Sequence, residues 1–260
     1  PNAPETTSPT KESTQVWTWE PVEDADFHHY EVLIDGKLPV VTPVASATHP
    51  AELGAGVYFL QVRSVDNLGN TSLWSEKGFV TVDQTPPGVP VMKTLAPFTK
   101  DLTVRFEWAK SSADTEYYEI SYTLNGGENW SAPLRVDGEF YRVGIADVRD
   151  GVAVSGRVRA YDAVGNVSKW SDELPGAPIA STIVDRTPPV VVITNPTEAV
   201  TTNAAKFTYT WTAIDEGCGV DYYIVNLVVG DIDNDSWAKV EAGTSYSHDL
   251  QPGKNVLLVK

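Results

Sequence analysis

The sequence contains a single cysteine, Cys218, among its 260 residues, so no disulfide can form within the chain. Extracellular animal domains of this size often carry disulfides, and their absence favours a cytosolic protein or one exported by a bacterium. No stretch approaches the ~20 consecutive apolar residues of a membrane-spanning helix. Residues 1–5 do not have the form of a signal peptide. These absences exclude a disulfide-stabilised scaffold and argue against direct insertion into a membrane.

Basic residues are also scarce, with 19 Lys and Arg against 35 Asp and Glu and a formal net charge of −16. The phosphates of nucleic acid require a basic surface, so the charge argues against nucleic acid and against anionic membrane surfaces as partners. An acidic exterior suits a well-solvated protein or one that binds cations. The hydrophobic content of 42% is sufficient for a packed core, so this is not a disordered acidic tail.

The chain does contain a long internal repeat. Residues 62–75 and 158–171 share Val, Arg, Asp, Gly, Asn, Ser, Trp and Ser in register. An Asp-x-Thr-Pro-Pro sequence also occurs twice, at 83–87 and 185–189. Paired prolines cannot donate to a β-ladder, so we expect them to end one domain and begin the next. Repeats of this kind define a tandem architecture, and we predict three domains: residues 1–86, 87–188 and 189–260.

Strand patterns are frequent, whereas helical periodicity is rare. Three segments in which apolar residues alternate with polar ones contain tryptophan, at 17–19, 102–108 and 207–213. Each is followed by a segment built around tyrosine, at 29–34, 117–122 and 221–229. Alternation with a period of two indicates β-strands. We therefore predict an all-β chain of β-sandwiches arranged end to end.

The third domain is shorter than the other two. Residues 53–60 resemble residues 250–257, an alignment that places Lys260 opposite Arg63. On this alignment the chain stops three residues before the expected Asp-x-x-Gly-Asn turn, so we expect the third domain to lack its last strand. Because an unpaired sheet edge promotes association, we interpret the 260 residues as part of a longer chain.

The tryptophan strand, the tyrosine strand and the Leu-x-x-Gly-x-Tyr sequence at 53–58 resemble those of fibronectin type III domains. The Asp-x-x-Gly-Asn-x-Ser turn and the Asp-x-Thr-Pro-Pro linker are similar to the Ig-like repeats of large, adhesin-type bacterial surface proteins. The resemblance covers nearly the whole chain. It implies seven-stranded antiparallel sandwiches, export to the cell surface and use as a spacer or adhesin repeat. It is specific for architecture rather than activity, because one sandwich fold supports many functions.

No residue pattern indicates catalysis. Cys218 is flanked by glycines and lacks an identifiable histidine base, and no Gly-x-Ser-x-Gly sequence occurs. His28 and His29 are adjacent and would face opposite sides of a strand, so they should not bind one ion together. We expect the histidines at surface or edge positions, and we predict that the chain is not an enzyme.

The repeated Ser-x-Trp-Ser sequences suggest two uses for Trp74 and Trp170. Exposed indoles can stack on sugar rings, but arginines also lie on the preceding strands. A guanidinium over an indole is a stabilising contact. We predict that Arg63 packs against Trp74, and that Arg157 or Arg159 packs against Trp170. The alternative is sugar recognition, with Trp74, Trp130 and Trp170 as the candidates.

Carboxylates gather where the domains should meet, because two loops of an Ig-like sandwich face the arriving linker. Carboxylate and carbonyl oxygens are the ligands of Ca²⁺; alternatively, these residues cap their own turns. The calcium candidates are Asp83, Asp114 and Asp162 at the first joint and Asp185, Asp215 and Glu216 at the second. A weaker candidate has carboxylates at positions 1, 3 and 5 of an EF-hand loop but lacks its glycine and bidentate glutamate: Asp231, Asp233 and Asp235. No other cofactor is indicated.

These patterns predict a non-catalytic extracellular repeat region that serves as a stalk or adhesive part of a large bacterial surface protein. Its partners would be the neighbouring repeats of the same chain, with a surface glycan or protein as a further candidate. The alternative is a set of accessory, carbohydrate-binding modules of a secreted polysaccharide-degrading enzyme.

Overall fold

The structure is a computed structural model of the chain. It describes residues 1–2, 4, 9–37, 39–177, 179–230, 236–241 and 243–260. Within these residues the secondary structure is β apart from one 3₁₀ turn, Ser171–Glu173. No helix in this part of the chain is long and apolar enough to cross a membrane.

The first domain packs a two-stranded sheet against a four-stranded sheet. Its described strands are β1 (Val16–Thr18), β2 (Phe27–Ile34), β3 (Val40–Thr42), β4 (Ser46–Thr48), β5 (Gly56–Asp66) and β6 (Gly78–Val82). β1 pairs with β4, and the larger sheet has the antiparallel order β3-β2-β5-β6. Thr10 forms a parallel bridge to Val82 at the edge of β6.

The second domain repeats this plan with a longer sheet. Its described strands are β7 (Phe98–Thr99), β8 (Thr103–Glu107), β9 (Thr115–Thr123), β10 (Leu134–Val136), β11 (Phe140–Gly144), β12 (Ala153–Asp162) and β13 (Ala180–Val184). β11 pairs with β8, and the other sheet has the order β10-β9-β12-β13-β7. β7 is parallel to β13 through Thr99 and Val184, as Thr10 is to Val82 in the first domain.

The third domain has two three-stranded sheets among its described residues. Its strands are β14 (Val190–Asn195), β15 (Lys206–Ile214), β16 (Tyr223–Val229), β17 (Ala238–Val240), β18 (Ser245–Asp249) and β19 (Asn255–Val259). The sheet orders are β14-β15-β18 and β17-β16-β19, all antiparallel.

This strand order is that of fibronectin type III-like sandwiches, in which strands A, B and E face strands C′, C, F and G. In the second domain β8 and β11 are B and E, and β10-β9-β12-β13 are C′-C-F-G. The predicted all-β class of tandem sandwiches is confirmed. Each domain has a separate hydrophobic core, within residues 17–82, 92–184 and 191–259 respectively. The exact boundaries at 86 and 188 remain predictions.

In each of the three cores, a tryptophan that lies within or directly after β1, β8 or β15 packs against a tyrosine on the next strand. Each pair is T-shaped, an arrangement that contributes about 0.5–1.5 kcal/mol beyond the buried area. The ring centroids are 5.4, 5.5 and 5.4 Å apart in Trp19–Tyr30, Trp108–Tyr118 and Trp211–Tyr223, respectively. The repeated pair explains why tryptophan and tyrosine mark the successive strands of the sequence.

His28 and His29 do not obey the alternation of a regular strand. The register of β2 shifts between Phe27 and His29, and the two Nδ1 atoms lie 2.6 Å apart. The expectation that the rings face opposite sides is therefore wrong. A β-bulge reorients side chains locally, and nothing in the local sequence pattern marks its position.

Candidate functional site

His49 lies inside the first domain rather than at an edge, so the expectation of surface histidines is wrong for this residue. Its Nε2 lies 3.1 Å from Asp35 Oδ2, and its Nδ1 lies 2.8 Å from the carbonyl oxygen of Ala51. The ring also packs against Trp17 and Tyr58. These contacts satisfy the hydrogen-bonding capacity of both ring nitrogens, which is typical of a histidine that stabilises the fold.

Cys218 is exposed in a loop of the third domain. The pKa of its thiol is raised, first by a hydrogen bond to the Asp185 side chain and then by burial and the negative charge of that carboxylate. A raised pKa disfavours the thiolate, which is the nucleophilic form. The surroundings of Cys218 therefore oppose the chemistry that a catalytic cysteine requires.

The Asp-x-x-Gly-Asn turn of the first domain is held by one carboxylate. Asp66 Oδ1 accepts hydrogen bonds from the Leu68 and Asn70 amides at 2.9 and 2.8 Å, and Asn70 Nδ2 donates to Asp66 Oδ2 at 2.7 Å. Gly69 has φ 87°, a conformation that glycine adopts without strain. Hydrogen bonds from Asn70 lower the pKa of Asp66. The aspartate, glycine and asparagine of the repeat thus define the shape of the turn.

The equivalent turn of the second domain has the same internal bonds. Asp162 Oδ1 accepts from the Val164 and Asn166 amides at 3.1 and 2.8 Å, and Asn166 Nδ2 donates to Asp162 Oδ2 at 2.8 Å. Gly165 has φ 85°. We call these two segments, residues 66–70 and 162–166, the entry turns of their domains.

The entry turn of the second domain also binds the first domain. Asn166 Nδ2 donates to the main-chain oxygen of Asp83 at 2.9 Å, and Lys11 Nζ donates to the Gly165 carbonyl at 2.9 Å. One asparagine amide therefore bridges its own turn and the arriving linker. These two bonds form a polar joint between the domains.

Each linker is also bonded to the domain that it leaves. Gln84 Nε2 donates to the main-chain oxygens of Lys11 and Leu53 at 3.3 and 3.2 Å. Arg186 occupies the corresponding place in the second linker and donates to three main-chain oxygens at 2.9–3.0 Å: Asp101, Ile145 and Val148. The residue after the linker aspartate therefore fixes the direction in which the linker leaves its sandwich.

The first linker also contacts the domain that it enters. The Gly88 amide donates to Ser112 Oγ at 3.2 Å. A Cβ atom at Gly88 would lie 2.9 Å from the Ser111 carbonyl oxygen, closer than real side chains approach. Glycine is therefore required at this position, and the linker is held on both sides of its prolines.

The second joint uses a different loop. Asp185 Oδ2 accepts from the Cys218 amide at 2.7 Å, and Asp215 Oδ1 accepts from the Gly217 and Gly219 amides at 2.9 and 3.2 Å. A Cβ atom at Gly217 would lie 2.2 Å from the Asp185 carboxylate. The side chain of Asp185 therefore packs directly on the backbone of the third domain.

The calcium candidates are brought together only in part. At the first joint, Asp162 is bound by Asn166, Asp83 Oδ1 accepts from the Thr85 amide at 3.0 Å, and Asp114 is exposed. At the second joint, Asp185, Asp215 and Cys218 each place one potential ligand atom within 4.8 Å of those of the other two. Among the described residues, no other three acidic, histidine or cysteine side chains come together in this way. Glu216 is exposed and outside this group.

The carboxylates of this group suit calcium, whereas its thiol does not, because Ca²⁺ selects oxygen ligands. Calcium at the joints stays a prediction. The weaker EF-hand-like candidate, formed by Asp231, Asp233 and Asp235, lies outside the described residues.

In the first domain an arginine contacts both a tryptophan and a glutamate. The Arg63 Cζ atom lies 4.7 Å from the centroid of the Trp74 ring. Arg63 also forms an ion pair with Glu31, with Nη2 2.6 Å from Oε2. These residues lie opposite each other on β5 and β2, so the ion pair crosses the sheet.

The second domain extends this arrangement. The guanidinium carbons of Arg157 and Arg159 lie 4.6 and 4.5 Å from the Trp170 centroid. Arg157 also lies 4.1 Å from the centroid of Trp130, and Arg159 Nη2 is 2.6 Å from Glu119 Oε2. Each tryptophan proposed for sugar stacking therefore has at least one arginine against its ring.

The serines of Ser-x-Trp-Ser hold each tryptophan in place. Ser72 Oγ accepts from the Ser64 amide and Ser75 Oγ from the Val62 amide, both at 3.0 Å. The two serines thus bind the residues on either side of Arg63, and Trp74, which lies between the serines in sequence, is held next to the Arg63 side chain. Ser168 and Ser171 make the same bonds to the Ala160 and Val158 amides, at 2.9 and 3.2 Å.

Several functional residues were missed by sequence reasoning: Lys11, Glu31, Gln84, Glu119 and Arg186, together with the bridging role of Asn166. A signal existed for the glutamates, because Tyr-Glu occurs at 30–31 and again at 118–119. For the linker residues the signal was only their place after the linker aspartate. Which carbonyl they reach depends on tertiary structure.

The fold and the joints define a tandem array of fibronectin type III-like modules. No protein-family model matches the chain. Over 127 residues the chain is 32% identical to the Tip attachment protein J of Escherichia phage SECphi27. This match covers 47% of the chain and only 11% of that protein's length.

Similar solved structures contain fibronectin type III domains. The FN1–FN3 domains of chicken CNTN1 align with a TM-score of 0.38 and 11% identity, over 100% of this chain and 90% of that one. The fibronectin(III)-like modules of Clostridium thermocellum CbhA align with a TM-score of 0.35 and 14% identity, over 71% and 90% of the two chains.

Proposed function

We propose that the chain is a non-catalytic spacer region of a larger phage tail-tip attachment protein. The observation that carries this proposal is the polar joint, in which Asn166 and Lys11 connect one sandwich to the next. Such bonds limit rotation about the linker, and a spacer needs this stiffness to hold distant parts at a fixed separation. The 32% identity to a tip attachment protein supplies the larger context.

The modules would then act on the outside of a virion rather than at a bacterial cell surface. In both settings the modules work outside the cell and bind mainly their neighbours in the chain. The sequence that flanks these residues in the genome distinguishes the two. Neighbouring tail-assembly genes support the virion, whereas a signal peptide and a wall anchor in the same gene would contradict it.

Small-angle scattering of the 260-residue chain tests the spacer function. A compact globule of this length has a radius of gyration of about 18 Å, and we expect a clearly larger value for modules connected end to end. The Asn166→Ala, Lys11→Met double variant should broaden the distribution of interdomain distances. A compact particle, or a variant as rigid as the parent chain, would contradict the spacer function.

Sugar recognition is the second candidate, and the Arg–Trp contacts argue against it. An indole face covered by a guanidinium is not available for stacking on a sugar ring. We expect no binding of the chain to a glycan array. Binding that is lost in Trp74→Ala or Trp170→Ala would establish sugar recognition instead.

A further inference from the structure

The entry turn of the first domain has the same construction as that of the second, yet it is more exposed. Asn70 is exposed whereas Asn166 is half-buried. Leu68 is 90% exposed, whereas Val164 at the equivalent position is half-buried. The two turns have equivalent internal hydrogen bonds, so their own geometry does not account for the difference. The second turn is in contact with Lys11 and Asp83 of the preceding domain.

The asparagine amide has two N–H groups and thus two bonds to make. Asn166 directs one to Asp162 and the other to the main-chain oxygen of Asp83. Asn70 directs one to Asp66, and its second has no acceptor among the described residues. The exposed turn therefore offers a donor at the position where the covered turn binds a linker.

We propose that the entry turn of the first domain, residues 66–70, is a docking surface for another module of this kind placed before it in a longer chain. The occupant is the main-chain oxygen of an Asp-x-Thr-Pro-Pro linker, bound by Asn70, together with a lysine bound by the Gly69 carbonyl. The proposal rests on the proposed function in that it requires modules joined end to end.

The first and second modules both carry the matching half of this joint. Thr10 and Thr99 occupy equivalent positions, since each forms a parallel bridge to the last strand of its domain. Lys100 therefore corresponds to Lys11, and both are exposed. A second-domain module placed before the first would present Lys100 and Asp185 to its entry turn.

A fusion protein tests the proposal. Residues 88–189 followed by Gly88–Val89 are placed before residue 1 of the 260-residue chain, which keeps the linker length of the first joint. Hydrogen–deuterium exchange of the peptide covering residues 64–73 is compared in the fused and parent chains. We expect exchange at 67–70 to slow about tenfold, the effect of roughly one net hydrogen bond, toward the rate at 163–166.

Three variants of the fusion establish the cause. Because Asn70 also bonds to Asp66 within its own turn, Asn70→Ala is made in both chains, and it should abolish the difference in exchange between the fused and parent chains. Lys100→Met in the leading copy should reduce the slowing of exchange at 67–70 without abolishing it. This substitution lies outside the first domain, so it cannot disturb the folding of that domain. Lys169→Met, which removes an exposed lysine outside the joints, is the matched control and should change nothing.

Each other outcome has a defined meaning. Equal exchange at 67–70 in fused and parent chains, with slow exchange at 163–166 in the parent chain, overturns this proposal and leaves the spacer function intact. Fast exchange at both turns contradicts the spacer function itself. Slowing in the parent chain at rising concentration, with a dimer in sedimentation, overturns the proposal in favour of a second copy.

Discussion

A single asparagine, Asn70, lowers the pKa of the aspartate in the entry turn of the first domain, and this effect can be measured at Asp66. Hydrogen bonds from Asn70 lower the pKa of Asp66. We expect Asn70→Ala to raise this pKa toward the ordinary aspartate value, measured by NMR titration of the Asp66 carboxyl carbon. Asn67→Ala, at an exposed position beside it, should leave the titration unchanged.

The sign of the pH effect follows from the direction of the shift. Because the folded-state pKa is depressed, the ionised carboxylate stabilises the turn above the unfolded-state pKa. This contribution is lost as the pH falls through the folded-state pKa. A turn in Asn70→Ala that loses stability over the same pH window as the parent would contradict the assignment.

The Arg159 guanidinium makes the densest contacts of the Arg–Trp arrangement. It bonds to Glu119 through two nitrogens and lies over Trp170. We expect Arg159→Met, which keeps the aliphatic stem, to lower the unfolding free energy of the second domain by about 1–2 kcal/mol. Denaturant unfolding measures the change. Arg159→Lys should recover only part of it, because lysine cannot form the forked contact.

Lys169→Met is the control for this variant, since Lys169 is exposed and next to Trp170. It should change the unfolding free energy by less than about 0.5 kcal/mol. Equal effects of the two substitutions would show that the Arg159 contacts contribute nothing to stability.

At the scale of the element, β12 contains a glycine that faces the core. A Cβ atom at Gly156 would lie 2.7 Å from the Phe106 ring. We expect Gly156→Ala to destabilise the second domain by about 1–3 kcal/mol through overpacking. Gly144→Ala is a matched control in β11, because nothing lies within 4 Å of its Cβ position. A stable Gly156→Ala would mean that the sheets separate easily.

The strands around tryptophan and tyrosine could be predicted from sequence, since β1, β8 and β15 alternate clearly and have aromatic residues at core positions. The short strands β3, β10 and β17 could not, because three residues contain too little periodicity and, unlike β1, these strands have no aromatic residue to mark the core face. The bulge beside His29 could not be predicted either, because it arises from the register in which β2 pairs with β5. The Arg–Trp contacts followed from the repeat, whereas the bond from Asn166 to Asp83 requires knowledge of how two domains meet.

At the scale of the whole molecule, the three cores differ in extent. Among the described residues, the core of the third domain contains only four buried apolar residues, Tyr209, Trp211, Val225 and Leu257, against ten in the core of the first domain and thirteen in that of the second. Because buried apolar surface is the main source of stability, we expect the third domain to unfold at the lowest temperature in calorimetry. Val225→Ala should move that first transition alone. Movement of a later transition would contradict this order.

Calcium should leave the unfolding of the first two domains unchanged. The Asp162 carboxylate already accepts bonds from the Asn166 side chain and two main-chain amides. Any stabilisation should be confined to the third domain and should disappear in Asp215→Asn. Calorimetry with calcium and with a chelator measures this. A calcium-dependent shift at the first joint would contradict this expectation and support the sequence-based prediction of calcium at Asp83 and Asp162.

Gln84 and Arg186 each hydrogen-bond a linker to the domain that it leaves. This arrangement has a consequence for the gene. A stretch of DNA that ends at the paired prolines encodes a module together with its exit linker and its entry turn. In-frame duplication of that stretch creates a new junction whose bonding partners are already present, so no compensating substitution is needed. Related arrays should therefore differ in length by whole modules, with insertions and deletions that begin and end beside the Pro-Pro pair.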